Sequence, residues 1–222
     1  MKLTVFNGSP RGPRSNSTIL MTHFLDGLNA SGRHETDIVY LVRIRQIDDH
    51  VRAFRKAENA VLVFPLYTDA MPGIVKTFIE ALSPLAGGRG NPRLGFVVQS
   101  GFPEPHHSRF VERYLEKLAR RLTCIHTGTV VRGGVEGIQK MPPWMTRRLF
   151  QRFYDLGVAY GETGVFSPVL IQELVPRERL SPAVRLLYRA GGALGLTNGY
   201  WNGQLKANRA FKDRFARPYE SK

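Results

Sequence analysis

Three short segments hold the residue types that could do chemistry, and each follows a brief apolar run. The first is Gly8-Ser9-Pro10-Arg11-Gly12-Pro13-Arg14-Ser15-Asn16-Ser17-Thr18, which leads straight into a helical pattern. Glycines, hydroxyls, backbone N–H groups and the positive end of a helix converge there, an arrangement that suits a phosphate. The segment lacks the spacing and the lysine of a P-loop, and Gly8 with Gly12 does not make G-x-G-x-x-G, so a monoester fits better than a pyrophosphate. The competing reading is that Ser15, Asn16 or Ser17 only caps the helix while the glycines make a turn.

The second segment is Pro65-Leu66-Tyr67-Thr68-Asp69-Ala70-Met71-Pro72-Gly73, with Lys76 in the helix that follows. Tyr67 and Met71 offer flat or soft apolar surface to a planar ring, and the flanking prolines restrict the backbone that holds them. An ordinary strand-to-helix turn with two core side chains would look the same. In the third segment, Gln99-Ser100-Gly101-Phe102-Pro103-Glu104-Pro105-His106-His107, free amides near Ser100–Phe102 could bond the polar edge of a heterocycle. The adjacent histidines have no supporting carboxylate motif for metal, and solvated first-turn residues are the alternative. No metal site is expected and no general acid is assigned.

These segments need elements to position them. Apolar runs rich in β-branched and aromatic residues at 3–6, 38–41, 60–64, 94–98 and 125–131 predict five strands. Helical spacings lie between them: Met21, Leu25 and Leu28; Ile74, Phe78 and Leu82; Val111, Leu115, Leu118 and Leu122; and, more weakly, Val51 and Phe54 within 48–58. After a glycine-rich turn at 133–137, Leu149, Phe153, Leu156 and Tyr160 share one face of a helix over 145–160. Strand alternates with helix, and the near-continuous apolarity of the strands predicts a parallel α/β sheet covered on both faces. In such a sheet, ligands sit beyond the carboxyl ends of the strands, where all three segments fall. A phosphate cradle beside two ring-contacting loops describes a mononucleotide with a large planar ring, and that points to FMN.

At this point the sequence resembles the flavodoxin-like NAD(P)H-dependent FMN reductases, nearest their multimeric flavodoxin and iron–sulfur flavoprotein branch. The likeness rests on Asn7-Gly8-Ser9-Pro10-Arg11 with Ser15-Asn16-Ser17, on Pro65-Leu66-Tyr67 with Met71-Pro72-Gly73 and Lys76, and on Ser100-Gly101-Phe102. It spans roughly residues 1–165. It implies a doubly wound, flavodoxin-like five-stranded sheet in the order 2-1-3-4-5, FMN held without a covalent bond, and a homodimer or homotetramer with the flavin near the subunit interface. Ser9, Arg11, Ser15, Asn16 and Ser17 are then the phosphate ligands, Pro65, Leu66, Tyr67, Thr68 and Met71 the ring contacts, and Ser100, Gly101 and Phe102 the third loop. The iron–sulfur branch carries a cysteine cluster between its second and third strands. Residues 42–59 contain none, and the lone Cys124 cannot build a cluster or a disulfide.

The implied activity is that of an NAD(P)H-dependent oxidoreductase, with NADPH or NADH as co-substrate and a quinone, nitro compound, flavin or metal chelate as small-molecule acceptor. Arg11 and Arg14 either select a phosphorylated nucleotide or serve as plain phosphate contacts or solvated charges. A flavodoxin-type electron carrier to a protein partner and a non-catalytic basic binding module remain the alternatives.

With 222 residues, 42% of them hydrophobic, the chain can bury a real core, so global disorder is excluded. No run approaches a membrane span and the opening residues do not make a signal peptide, so the cytoplasm is the expected location. The net charge of +14 is unusual, and residues 176–222 supply half of it, with ten basic residues against three acidic ones. We divide the chain into a flavodoxin-like domain at 1–165 and a basic, mainly helical extension at 166–222, with an irregular connector over 168–182. In the extension Tyr200, Trp201, Phe211 and Phe215 alternate with Lys206, Arg209, Lys212, Arg214 and Arg217. Aromatic residues near a chain end usually anchor it by packing, and no nucleic-acid motif accompanies the charge, so nucleic acid is not an expected partner.

Overall fold

The structure is a computed structural model and describes residues 1–175, 182–193, 195, 198–217 and 219–220. Two compact units divide the chain, Met1–Glu178 and Arg179–Lys222. In the first unit, strands β1 (Lys2–Asn7), β2 (Glu35–Tyr40), β3 (Asn59–Pro65), β4 (Arg93–Gln99) and β5 (His126–Arg132) form one sheet. All neighbours are parallel and the order is β2-β1-β3-β4-β5, as the resemblance implied.

Every residue of the central β3 is buried, and its alternating side chains feed two separate cores. Ala60, Leu62 and Phe64 face one cluster with Phe54 of α2 (Ile47–Lys56), Phe78 of α3 (Gly73–Ala81) and Leu115 of α4 (Arg109–Arg121). Val61 and Val63 face the other, with Phe24 of α1 (Asn16–Ala30) and Phe153 and Tyr160 of α5 (Pro143–Thr163). A parallel sheet needs this double cover, because neither face of its strands is polar enough to meet water. Full burial of each large side chain contributes about 1.5–3 kcal/mol.

Three local expectations change. The edge strand β2 is only partly covered, with Ile38 44% exposed, because it lies outside the span of the helices that blanket the central strands. Helix α5 starts at Pro143 rather than 145, since the proline ring presets the first helical φ and its missing N–H costs nothing there. The connector expected over 168–182 holds a helix, α6 (Pro168–Leu174). Leu174 and the preceding Phe166 enter the α1–α5 core, and the Phe166 amide donates to the Thr127 carbonyl at 2.8 Å. Residues 176–181 of that connector lie outside the described residues.

In the second unit, α7 (Pro182–Ala193) and α8 (Gly199–Ala207) occupy the expected basic extension. The Arg214 guanidinium lies over both Phe211 and Phe215, at 4.1 and 4.7 Å, so aromatic and basic residues engage one another. Trp201 is exposed, and the Tyr200 side chain lies outside the described residues.

Helices α1 and α5 touch backbone to backbone. A Cβ on Gly157 would sit 1.9 Å from the Phe24 carbonyl oxygen, and one on Gly27 1.9 Å from that of Tyr154. Gly157→Ala must therefore push the helices apart, and thermal unfolding followed by circular dichroism should show a loss of about 1–3 kcal/mol. Burial pushes the Cys124 thiol up to about 11, so at pH 8 it stays protonated. A disulfide reagent such as DTNB should label Cys124 in denatured protein and leave it unlabelled in the native state.

Candidate functional site

All five strands run the same way, so the loops after β1, β3, β4 and β5 meet at one edge of the sheet. The loop after β1 is fixed first by its own backbone. Gly8 donates to the Val63 carbonyl at 2.7 Å and the Ser9 amide to Asn7 Oδ1 at 2.9 Å. A single 3-10 turn at Gly12–Arg14 then carries the chain to α1. Gly12 has a φ of +53°, and a Cβ there would press on Val42 at 3.2 Å, so the turn depends on glycine. Thr18 ties the loop to the helix: its hydroxyl donates to the Gly12 carbonyl at 3.1 Å and accepts from Asn7 Nδ2 at 2.9 Å.

Ser9, Ser15, Asn16 and Ser17 are all buried in this loop. The Ser15 hydroxyl caps α1, accepting from the Thr18 amide at 3.2 Å, as the competing reading anticipated. Asn16 Nδ2 reaches across the sheet edge to the carbonyls of Val135 at 2.7 Å and Glu136 at 3.2 Å, and its Oδ1 accepts from Gln139 at 2.9 Å. Ser17 Oγ accepts from Gln99 Nε2 at 3.4 Å, toward the sheet. The side chains of Asn16 and Ser17 thus hold loops together. Their amides open the helix and have no carbonyl one turn earlier. Together with the Ser9 hydroxyl and Arg11, those amides form a cradle with the chemistry to hold a dianionic phosphate. Arg11 also faces an acid, with Nη2 3.3 Å from Glu136 Oε1.

The loop after β3 begins with Pro65, buried at the strand's end, and Leu66, whose amide donates to the Gln99 carbonyl at 2.7 Å. Tyr67 and Ala70 then exchange two backbone hydrogen bonds, of 2.8 and 3.1 Å, across a two-residue turn. Thr68 and Asp69 occupy it at φ of +49° and +60°, the pair of left-handed residues that such a turn requires. For a β-branched threonine this conformation costs about 1–3 kcal/mol. Tyr67 is 44% exposed and Met71 packs against the core, so the flat surface expected of this loop comes from Tyr67. Lys76 pairs with Glu80 on the outer side of α3.

In the loop after β4 the Ser100 amide is engaged with the Arg132 carbonyl at 2.9 Å, and the Ser100 hydroxyl donates to the Phe102 carbonyl at 3.0 Å. Among the described residues the amides of Gly101 and Phe102 donate to no protein acceptor. The glycine turn after β5 folds over this loop: Gly134 donates to Phe102 at 2.9 Å and Val135 to Ser100 at 3.0 Å. A Cβ on Gly101 would meet the Glu136 side chain at 3.3 Å, so Glu136 stands between the phosphate cradle and Gly101. On the opposite rim His107 Nδ1 lies 2.7 Å from Asp69 Oδ1, joining the loops after β4 and β3.

The three sequence-derived loops therefore leave the same edge of the sheet, while Met71 packs against the core and Lys76 pairs along α3. The residues that join the loops are Glu136 and Gln139, which lie outside the three segments read from the sequence, and Thr18, Asp69 and Gln99, which lie inside them but are given no role there. Glu136 sits inside the Gly133–Gly137 turn, where the glycines drew attention and the one acidic residue among them did not.

Residues 1–84 match the model of a family described by its flavodoxin-like fold. Among solved structures, a flavone reductase shares 13% identity with the alignment covering all of both chains, at a TM-score of 0.59. An NAD(P)H:quinone oxidoreductase from Methanothermobacter marburgensis shares 12% over 71% of this chain and 96% of its own, at 0.55. An FMN-dependent NADH-azoreductase from Bacillus anthracis, solved in complex with FMN, shares 14% over 73% of this chain and 98% of its own, at 0.53. These likenesses establish a flavodoxin-like fold. No curated protein is matched.

Replacing the acid that faces Arg11 tests the cradle directly. Glu136→Gln should free the guanidinium and tighten inorganic phosphate binding about fivefold by calorimetry, a size set by the exposure of the pair. Arg11→Ala should weaken it, with or without Glu136→Gln.

Proposed function

We propose that this chain is an NAD(P)H-dependent FMN oxidoreductase that reduces a small conjugated acceptor such as a quinone, an azo or nitro compound, a flavin or a metal chelate. The observation that carries the reading is the convergence of the loop at the start of α1, with Ser9, Ser15, Asn16 and Ser17 buried and Arg11 exposed, with the exposed Tyr67 turn and the open amides of Gly101 and Phe102. The flavodoxin-like fold supports it, as do structural neighbours named as FMN-dependent or NAD(P)H-using reductases. The adjacency of parallel β1 and β3 supports it too, because the loops that follow them leave neighbouring strand ends.

Ser9, Arg11, Ser15 and the Asn16 and Ser17 amides would hold the phosphate, with Pro65, Leu66, Tyr67, Thr68 and Met71 along the ring and Ser100, Gly101 and Phe102 at its polar edge. When bound, FMN supplies the redox chemistry, taking a hydride from nicotinamide and returning electrons to the acceptor. This chain's part is to orient and to stabilise charge. The Gly101 and Phe102 amides can donate to the negative charge that reduction places on a heterocycle, and a preorganised donor is effective there. We further propose that residues 1–165 form the flavin domain, that 166–222 pack on it or serve oligomer contacts in a homodimer or homotetramer, and that the protein works in the cytoplasm. Among the described residues no helix is long and apolar enough to cross a membrane.

Protein purified without added flavin should show, or acquire with FMN, a flavin absorption band that NADH or NADPH bleaches. Continued turnover with a quinone separates an enzyme from an electron carrier, which would exchange electrons with a protein alone. Ser15→Asp puts negative charge against the cradle and should weaken FMN binding at least tenfold by fluorescence titration, while Arg217→Ala should leave it unchanged. Equal affinity in Ser15→Asp and the parent would reject this loop as the phosphate site.

A further inference from the structure

Reduction of a quinone or azo bond takes a proton as well as a hydride, and the phosphate cradle offers no imidazole or carboxyl to give it. On the rim of the same site His107 does. Its Nδ1 is 2.7 Å from Asp69 Oδ1, its side chain is 26% exposed, and its ring stacks on Phe102 at 4.8 Å and 30°. The His106 ring lies 4.0 Å from that of His107, tilted by 34°.

Asp69 reaches this ring because of the turn that carries it. Thr68 and Asp69 both stand at positive φ, and the two Tyr67–Ala70 hydrogen bonds lock them there. A strained turn aimed at an imidazole is a device that a merely solvated histidine would not need. With the carboxylate accepting from Nδ1–H, the ring has one defined orientation, and Nε2 is left as the nitrogen that gains and loses a proton.

We propose that His107 is the catalytic acid toward the acceptor and Asp69 its positioning residue, an assignment that rests on the flavin reading above. The exposed rings of Tyr67 and Phe102 beside the pair fit a planar conjugated acceptor. The acceptor gains two electrons and one hydrogen as a hydride that originates on NAD(P)H. It gains its second hydrogen as a proton from His107 Nε2, so that in a quinone both C=O groups become C–O–H as the ring turns aromatic, and in an azo compound the N=N π bond gives way to two N–H bonds. Water then reprotonates His107 across its exposed edge.

The test compares FMN-loaded parent, His107→Gln, His107→Ala and Asp69→Asn after reduction with NAD(P)H, using 1,4-benzoquinone as an acceptor that takes protons and ferricyanide as one that takes electrons alone. His107→Gln should bind FMN and be bleached like the parent and should reoxidise normally with ferricyanide. With benzoquinone it should slow roughly a hundredfold, a size typical of a lost general acid. Added imidazole should restore benzoquinone reduction in His107→Ala. Asp69→Asn should lower kcat with little change in KM, and in flavin-free protein the His107 ring nitrogens should lose the Nδ1–H tautomer by NMR. Equal slowing with both acceptors, or an undiminished benzoquinone rate, overturns the assignment while the flavin reading stands. A parent that takes up no FMN overturns both.

Discussion

A parallel sheet brings every strand's carboxyl end to one edge, where the departing backbone has polar groups and no further strand to satisfy them. In this protein that need is met by side chains and turns of neighbouring loops. Asn16 donates to Val135 and Glu136, Gln99 donates to Ser17, and the glycine turn after β5 donates to Ser100 and Phe102. The loops around the candidate site are thus held by the same hydrogen bonds that let the sheet end without orphaned groups. Removing one of these groups would disturb both the fold's edge and the shape of the cradle.

The same constraint explains why some residues of a phosphate-binding type do not face outward. Ser15 caps α1 and Ser17 bonds toward β4, so in the proposed phosphate site the Ser17 hydroxyl is turned away while the amides at the helix start, Ser9 and Arg11 would carry most of the contact. Glu136 complicates that capacity. It faces Arg11 and Gly101 together, placing one negative charge where a phosphate and a polar ring edge would otherwise have the positive field to themselves. A protein of net charge +14 can hold an acid there without losing its overall pull on anions.

On the far rim the arrangement is held by strain. Thr68 and Asp69 are kept at positive φ by a closed turn, and that turn links β3's loop to His107 beyond β4. Core packing beneath supplies the rigidity. Phe64 and Pro65 are fully enclosed, so the turn begins from a fixed strand end. A rim built on mobile elements could not keep a carboxylate against an imidazole.

Composition and periodicity alone were enough to determine the five strands, the helices between them and the edge from which the candidate loops depart. Strands such as 60–64 are apolar at every position, and helices such as 111–122 repeat every three or four residues, and those patterns follow from burial that any such sheet imposes. The roles of Asn16, Glu136 and the Asp69–His107 pair were decided by tertiary structure. Asn16 and Glu136 lie 120 positions apart and Asp69 and His107 lie 38 apart, so their meeting depends on strand order and register, which no local pattern encodes. The extent of α6 was hidden for a related reason. Its seven residues are too short to show a helical period, and only the α1–α5 core receiving Phe166 and Leu174 makes them a helix worth forming.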